Sequence, residues 1–143
     1  MHLIKLCVGA DSVEDLRDWI DFRLAEKRAA GLAPEHVHTT RMVPKRAGEL
    51  LEGGSLYWVI KGRVQCRQWI EDIRPFVDDE GISRCQIVLD PEVVLTHTQP
   101  KRQFQGWRYL KPEDAPADLG LGGDGIDTLP AEMRNELADL GLI

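Results

Sequence analysis

Long apolar runs are missing from this sequence. The longest unbroken one is Leu56-Tyr57-Trp58-Val59-Ile60, far short of the roughly 20 residues a membrane-spanning helix needs. The opening Met1-His2-Leu3-Ile4-Lys5-Leu6 shows no basic leader with an apolar stretch behind it, so no secretory signal is expected. Cysteine is scarce as well. Cys7, Cys66 and Cys85 form an odd set with no C-x-x-C pair, which argues against a disulfide framework, a disulfide-linked partner and a four-ligand zinc site. All three fall in segments read as strand, where a buried, reduced thiol is the ordinary state. These features favour a reducing cytoplasm, with no membrane partner.

The local signatures of catalysis are absent too. No G-x-S-x-G elbow occurs. Gly120-Leu121-Gly122-Gly123-Asp124-Gly125 lacks the lysine and hydroxyl residue of a phosphate loop, and no cofactor is expected. His36-x-His38 would place two rings on one face of a strand, as metal sites do. No recognised spacing completes that set, so surface histidines are expected and no metal. Asp78-Asp79-Glu80 reads as the solvated tip of a hairpin.

What remains is an ordinary globular chain. Its 143 residues suit a single domain over 1–143. A chain this long buries roughly 68–70% of its unfolded surface and needs no staple. Charge is unevenly placed. Residues 1–40 carry a net −2, residues 41–111 a net +3 and residues 112–143 a net −7. A mildly basic middle between acidic ends disfavours indiscriminate binding to DNA.

From His2 to Gly9, Leu3, Lys5 and Cys7 alternate with Ile4, Leu6 and Val8, the pattern of a buried strand. Ser12 and Asp15 make a capping pair ahead of Val13, Leu16, Ile20 and Leu24, which share one helical face. Gly31 and Pro34 end that series, so the spacing predicts a helix over 12–30. Val37 to Val43 is a short strand candidate, and Pro44 opens a short helix through Leu51. Leu56 to Lys61 is aromatic and β-branched and reads as strand, with Gly62 a turn or bulge. Arg63 to Ile73 fits either period, but the turn at 78–81 and the returning run Ile82 to Leu89 make 69–89 a hairpin. Val93 to Thr96 adds a short extended piece. Thr98 to Gln105, polar and interrupted by Pro100, reads as a loop. Pro112 and Pro116 bracket a turn or one helical turn. Pro130 to Leu140 predicts a final helix. The sum is an α+β domain: a small, curved, mainly antiparallel sheet or barrel with an N-terminal helix and a C-terminal helix. That element order is similar to the PUA-like group, which includes the ASCH and EVE domains.

Four segments also carry a family resemblance. They are His2-Leu3-Ile4-Lys5-Leu6-Cys7-Val8-Gly9, Thr40-Arg41-Met42-Val43-Pro44-Lys45-Arg46, Ser55-Leu56-Tyr57-Trp58-Val59-Ile60-Lys61-Gly62 and Phe104-Gln105-Gly106-Trp107-Arg108-Tyr109-Leu110. Over nearly its whole length the chain resembles an uncharacterised bacterial family typical of alphaproteobacteria, domain of unknown function 1489. The resemblance implies no activity, and it transfers no catalytic residue.

The strongest constellation is basic and aromatic. Arg41, Lys45 and Arg46 precede the central sheet. Lys61, Arg63 and Arg67 surround its first turn, and Lys101, Arg102 and Arg108 follow in the later loop. Trp58, Trp69, Trp107 and Tyr109 are interleaved with them. Cationic side chains hold phosphates and ring faces stack bases. The candidate ligand-binding set is therefore Arg41, Arg46, Trp58, Lys61, Arg63, Arg67, Trp107, Arg108 and Tyr109. The expected partner is single-stranded RNA or a nucleotide-like ligand. The plain alternative puts the tryptophans in the core and the arginines in solvent. A second reading is a small enzyme acting on an anionic metabolite. Arg41, Arg46, Lys61 and Arg108 would hold the charge, and Cys66, His97 or Glu71 would supply acid–base chemistry. A third is a protein-interaction module that uses the acidic tail 130–143. Oligomeric state is left open.

Overall fold

The alternating N-terminal segment forms strand β1 (His2–Leu6), and the capped apolar series forms helix α1 (Val13–Ala29) in the computed structural model, which describes residues 1–102 and 104–119. The expected cap is present: Ser12 Oγ accepts from the Asp15 amide at 3.1 Å, and Asp15 Oδ2 accepts from the Asp11 amide at 3.0 Å. At the other end Gly31 takes a φ of 74°. The Leu32 and Gly31 amides donate back to the carbonyls of Lys27 and Arg28, the paired bonds by which a left-handed glycine satisfies a helix C-terminus. Val13, Leu16, Ile20 and Leu24 are the buried residues of α1. Each such side chain contributes about 1.5–3 kcal/mol on leaving water.

Five more strands and a short helix follow in chain order. They are β2 (His36–Thr40), α2 (Ala47–Leu51), β3 (Ser55–Ile60), β4 (Arg63–Val77), β5 (Ser83–Leu89) and β6 (Val94–Pro100). Strand β7 (Trp107–Leu110) and a single 3-10 turn at Pro112–Asp114 complete the described part. Among the described residues the seven strands make one mixed sheet in the order β2-β5-β4-β3-β1-β7, with β6 also on β4. The order has two free ends, so the barrel alternative is corrected to an open sheet. It is mainly antiparallel, but β1 lies parallel to β3.

One expectation fails at β6, and β7 is a strand that the sequence pattern left unassigned. Thr98 to Pro100 belongs to a strand rather than a loop, because Arg63 and Val64 pair with Pro100 and Gln99. Trp107 to Leu110 is a strand along β1, with Ile4 opposite Arg108. The expected helix at 130–140 and the glycine run at 120–125 lie outside the described residues.

Strand β4 is unusually long. Its first half pairs with β3 on one edge and β6 on the other, and its second half pairs with β5. The β4–β5 turn is the expected acidic tip: Asp78 Oδ1 accepts from the Glu80 and Ile82 amides, and Arg84 pairs with the same carboxylate. The sheet has two faces. Leu3, Leu56, Trp58, Ile60, Cys66, Ile87 and Leu89 join the core that contains the α1 stripe. Ile4, Tyr57, Val59, Val64 and Leu110 form a second cluster on the other face, against Phe104 and Ala115. The sheet is bent enough that the His38 ring of β2 meets the Trp58 ring of β3 edge-on, with centroids 5.2 Å apart.

The tightest backbone approach is at Gly54, between α2 and β3. A Cβ there would lie 2.4 Å from the Leu50 carbonyl oxygen and 2.5 Å from that of Met1. Both neighbours are backbone and neither can swing aside. Gly54→Ala should cost stability at the upper end of the roughly 1–3 kcal/mol typical of overpacking, read as a lower urea midpoint at unchanged slope. Wild-type stability in that variant would mean that the α2–β3 junction is looser than described.

Candidate functional site

Side chains alternate between the faces of a strand, and this separates the predicted residues. Strand β7 sends Trp107 and Tyr109 toward the helix side, where both pack on the main core. Arg108 falls on the other face. Strands β3 and β4 likewise turn Trp58 toward the helix and Arg67 away from it.

On the helix side, Thr40 Oγ1 and Trp107 Nε1 both donate to the Met42 carbonyl, at 3.0 and 3.1 Å. This pins the 41–46 segment against the edge strand β7. The Arg46 amide donates to Tyr109 Oη at 3.1 Å, and its guanidinium lies 5.8 Å from the Tyr109 ring centroid. The rings of Trp107 and Tyr109 meet edge-on at 4.9 Å. A cavity of about 510 Å³ is lined by Met42, Val43, Lys45, Arg46, Trp107 and Tyr109. Glu49 forms an ion pair with Arg46, and that guanidinium holds the carboxyl below its usual range. Arg41 and Lys45 are exposed beside it.

The opposite face gathers a second group. Lys61 and Gly62, with φ of 50° and 77°, form the two-residue turn whose twist suits an antiparallel hairpin. The Gly62 carbonyl accepts from the Lys101 amide at 2.8 Å, and Arg63 is paired with Pro100. Lys61, Arg63, Lys101 and Arg102 are thereby brought to one end of the sheet. Arg108 and Lys101 also share a ring: they lie 5.5 and 6.0 Å from the centroid of Phe104. Arg108 is held by donating to the carbonyls of Gln105 and Trp107.

Two predicted residues stand elsewhere. Trp58 is buried, and its Nε1 donates to Gln68 Oε1 at 2.9 Å, so its faces are packed rather than offered to solvent. Arg67 is buried beneath the 115–119 segment. It grips both carboxylate oxygens of Asp118 at 2.8 and 2.7 Å, reaches Ser55 Oγ at 2.9 Å, and lies 4.2 Å over the half-exposed Trp69 ring. The guanidinium bonds hold the Asp118 carboxyl below its usual range. The groups of the enzyme reading are dispersed: Cys66 is enclosed in the core, while His97 and Glu71 are exposed.

The histidine pair is not on the surface. His36 and His38 share one face of β2, as the spacing requires, but that face turns inward. Burial pushes both down to about 4, with smaller contributions from Lys27 and Arg23 on His36 and from Lys5 and His36 on His38. Among the described residues no cluster of three metal-ligating side chains occurs. Cys7, nearby, is pushed up to about 11 by burial, which keeps it a thiol at neutral pH. No described helix is long and apolar enough to cross a membrane.

A family model described as a protein of unknown function (DUF1489) matches residues 3–143. No curated protein and no solved structure matches the chain.

The buried imidazoles set a pH dependence. Their folded values lie below the ordinary 6.5, so between pH 6.5 and 4 the unfolded chain takes up protons that the native state does not. Stability is then complete above pH 6.5 and falls as the solution is acidified. From pH 7 to 5 the loss should reach about 2 kcal/mol for each imidazole. The depressed carboxyls of Glu35 and Asp118 act only at lower pH. Urea midpoints at the two pH values should show the drop; His2, lowered mainly by burial, adds to it, and His38→Gln should remove a substantial part of it. A flat profile would show that the rings are hydrated.

Proposed function

The chain belongs to this family of unassigned activity, and from that premise we propose that it is a binding domain for single-stranded RNA or a nucleotide-like ligand, held around the edge strand β7. The observation that carries the reading is the Gly62–Lys101 hydrogen bond at 2.8 Å. It joins two cationic stretches, far apart in sequence, at one end of the sheet, beside Arg108 and the half-buried Phe104 ring. Ammonium and guanidinium groups arranged around a ring suit a phosphate backbone carrying unstacked bases.

The other side of β7 supports the same reading. Lys45 and Arg46 stand at a cavity floored by Trp107 and Tyr109, and the exposed Arg41 adjoins its lining residue Met42 in the chain. Its volume falls within the 300–1,000 Å³ range of small-ligand sites. Because β7 ends the described sheet, a strand passing over it reaches cations on both faces. The basic middle acts locally, although the whole chain carries −6. The PUA-like likeness of the element order belongs to the same proposal.

The test is a titration of labelled single-stranded RNA at several salt concentrations. With about five phosphates neutralised, log K should fall with log salt at a slope near −3.5. The double variant Lys101→Glu, Arg102→Glu should weaken binding and reduce the slope by about 1.4. Tyr109→Ala should cost about 1–3 kcal/mol if a base stacks there. No saturable binding at low salt, or binding indifferent to these substitutions, removes the proposal.

A further inference from the structure

A cleft lies on the helix side, between the end of β1, helix α1 and β2. Its inner part is a cavity of about 350 Å³, walled by Lys5, Trp58, His36, His38 and Arg23 among others. It opens into a larger cavity of about 710 Å³, with which it shares Cys7, Val8, Leu16 and Trp19.

Two polar groups in the inner part are unanswered. Lys5 is half-buried, and among the described residues no carboxylate pairs with it. His38 Nε2 is buried without a hydrogen-bond partner among the described residues. A half-buried amine lacking a counter-charge and an orphaned imidazole nitrogen each carry an unmet desolvation cost. An anion in the inner cavity would meet the Lys5 ammonium directly, and a small turn of the His38 ring would bring its sealed Nε2 onto the same anion, relieving both. With its proton on Nε2, the His38 ring donates to such an anion; the Lys5 ammonium supplies the charge. Arg23, stacked 5.3 Å over Trp19, adds a cation at the rim.

The outer part has the opposite character. Val8, Trp19 and Phe22 are 87, 50 and 57% exposed, and the two rings stack at 6.3 Å. These three exposed side chains offer a hydrocarbon body an apolar surface to lie on. Asp15 and Asp18 also line it, so a second negative charge at the far end of a ligand would be repelled.

We propose that this cleft binds an apolar monocarboxylate, with its head on Lys5 and His38 and its hydrocarbon body against Trp19 and Phe22. The inner cavity holds a carboxylate, and the outer cavity has room for a medium-length chain or an aromatic ring. At the inner end one half-buried ammonium beside neutral imidazoles matches one negative charge, while Asp15 and Asp18 disfavour a second at the outer end. The site is independent of the RNA reading, which uses cations of other segments.

The experiment is calorimetric titration of the full chain with decanoate, followed in parallel by indole fluorescence. Saturable binding is expected. Decanol and decylamine should bind at least about tenfold more weakly, and so should the ten-carbon dicarboxylate, since each fails one charge requirement. Lys5→Met should cost at least about tenfold, while Lys5→Arg stays within a few-fold. Because Lys5→Met risks misfolding, the comparison of acid, alcohol and amine on the wild-type chain decides on its own. If decanol binds as tightly as decanoate, the patch is merely apolar and the carboxylate assignment is lost. The absence of saturable decanoate binding overturns the site outright. RNA titration of the same sample tests the other proposal separately.

Discussion

Strand β4 is the member on which the rest of the sheet depends. A strand paired along both edges must satisfy its backbone from both neighbours, because buried amides and carbonyls are costly to leave unpaired. Over its first half β4 does so with β3 and β6, and over its second half with β5. Register shifts occur between Trp58 and Val59, between Ile70 and Asp72, and between Val64 and Cys66. Such irregularities bend a strand and increase its twist. The bend lets β5 and β2 curl over the helix side, so that His38 reaches Trp58. Without it, β2 would lie in the plane of the sheet and the histidine cleft would not exist.

The same strand governs the polar interior. Gln68 accepts from Trp58 Nε1 and donates to the Asp90 carbonyl, both at 2.9 Å. Gln65 donates to the Ile60 carbonyl at 2.8 Å. These glutamines are fully buried, and a buried amide is tolerated only when its partners are supplied. They fix the β3–β4 register, because a slip of one residue would turn each of them onto the wrong face. Arg67 uses the same logic with a charge: its carboxylate, hydroxyl and ring contacts meet the demands of a buried guanidinium, so this cation braces the 115–119 segment.

Much of this was legible in the sequence. The apolar stripe and caps of α1, the β-branched run of β3 and the hairpin around Asp78 are local signals, and local signals survive in a single chain. What was lost is non-local. Nothing in Thr98-Gln99-Pro100 announces a strand, because an edge segment needs only a partner, and the partners Val64 and Arg63 lie far earlier in the chain. The parallel pairing of β1 with β3 spans a helix, a strand and a short helix. The site was half legible for the same reason. Alternation separates Trp107 and Tyr109 from Arg108, yet spacing alone does not say which side meets Arg46. For Trp58 and Arg67 the pattern was silent, since a strand buried on both faces shows no polar side. Lys5 and His38 were overlooked because their meeting depends on the bend in β4. The one available signal was the shared face of His36 and His38.

Strand β1 is what separates the histidine cleft from the Arg108 side of the basic site. Its residues alternate, so Lys5 enters the helix-side cleft while its neighbour Ile4 lies opposite Arg108 in the sheet. The cleft is partly enclosed and relies on desolvation at its inner end, which strengthens a single charge contact. The basic site is open and relies on several exposed cations, each weak and screened by salt. A ligand in the cleft would meet Lys5 through one thickness of sheet from the Arg108 cluster, without steric contact with anything held there. Both are built on the same rigid pairing of β1 with β3 and β7. Communication between them would therefore need β1 to shift its register, and the fully buried Leu3 and nearly buried Ile4 on its two faces oppose any such slip.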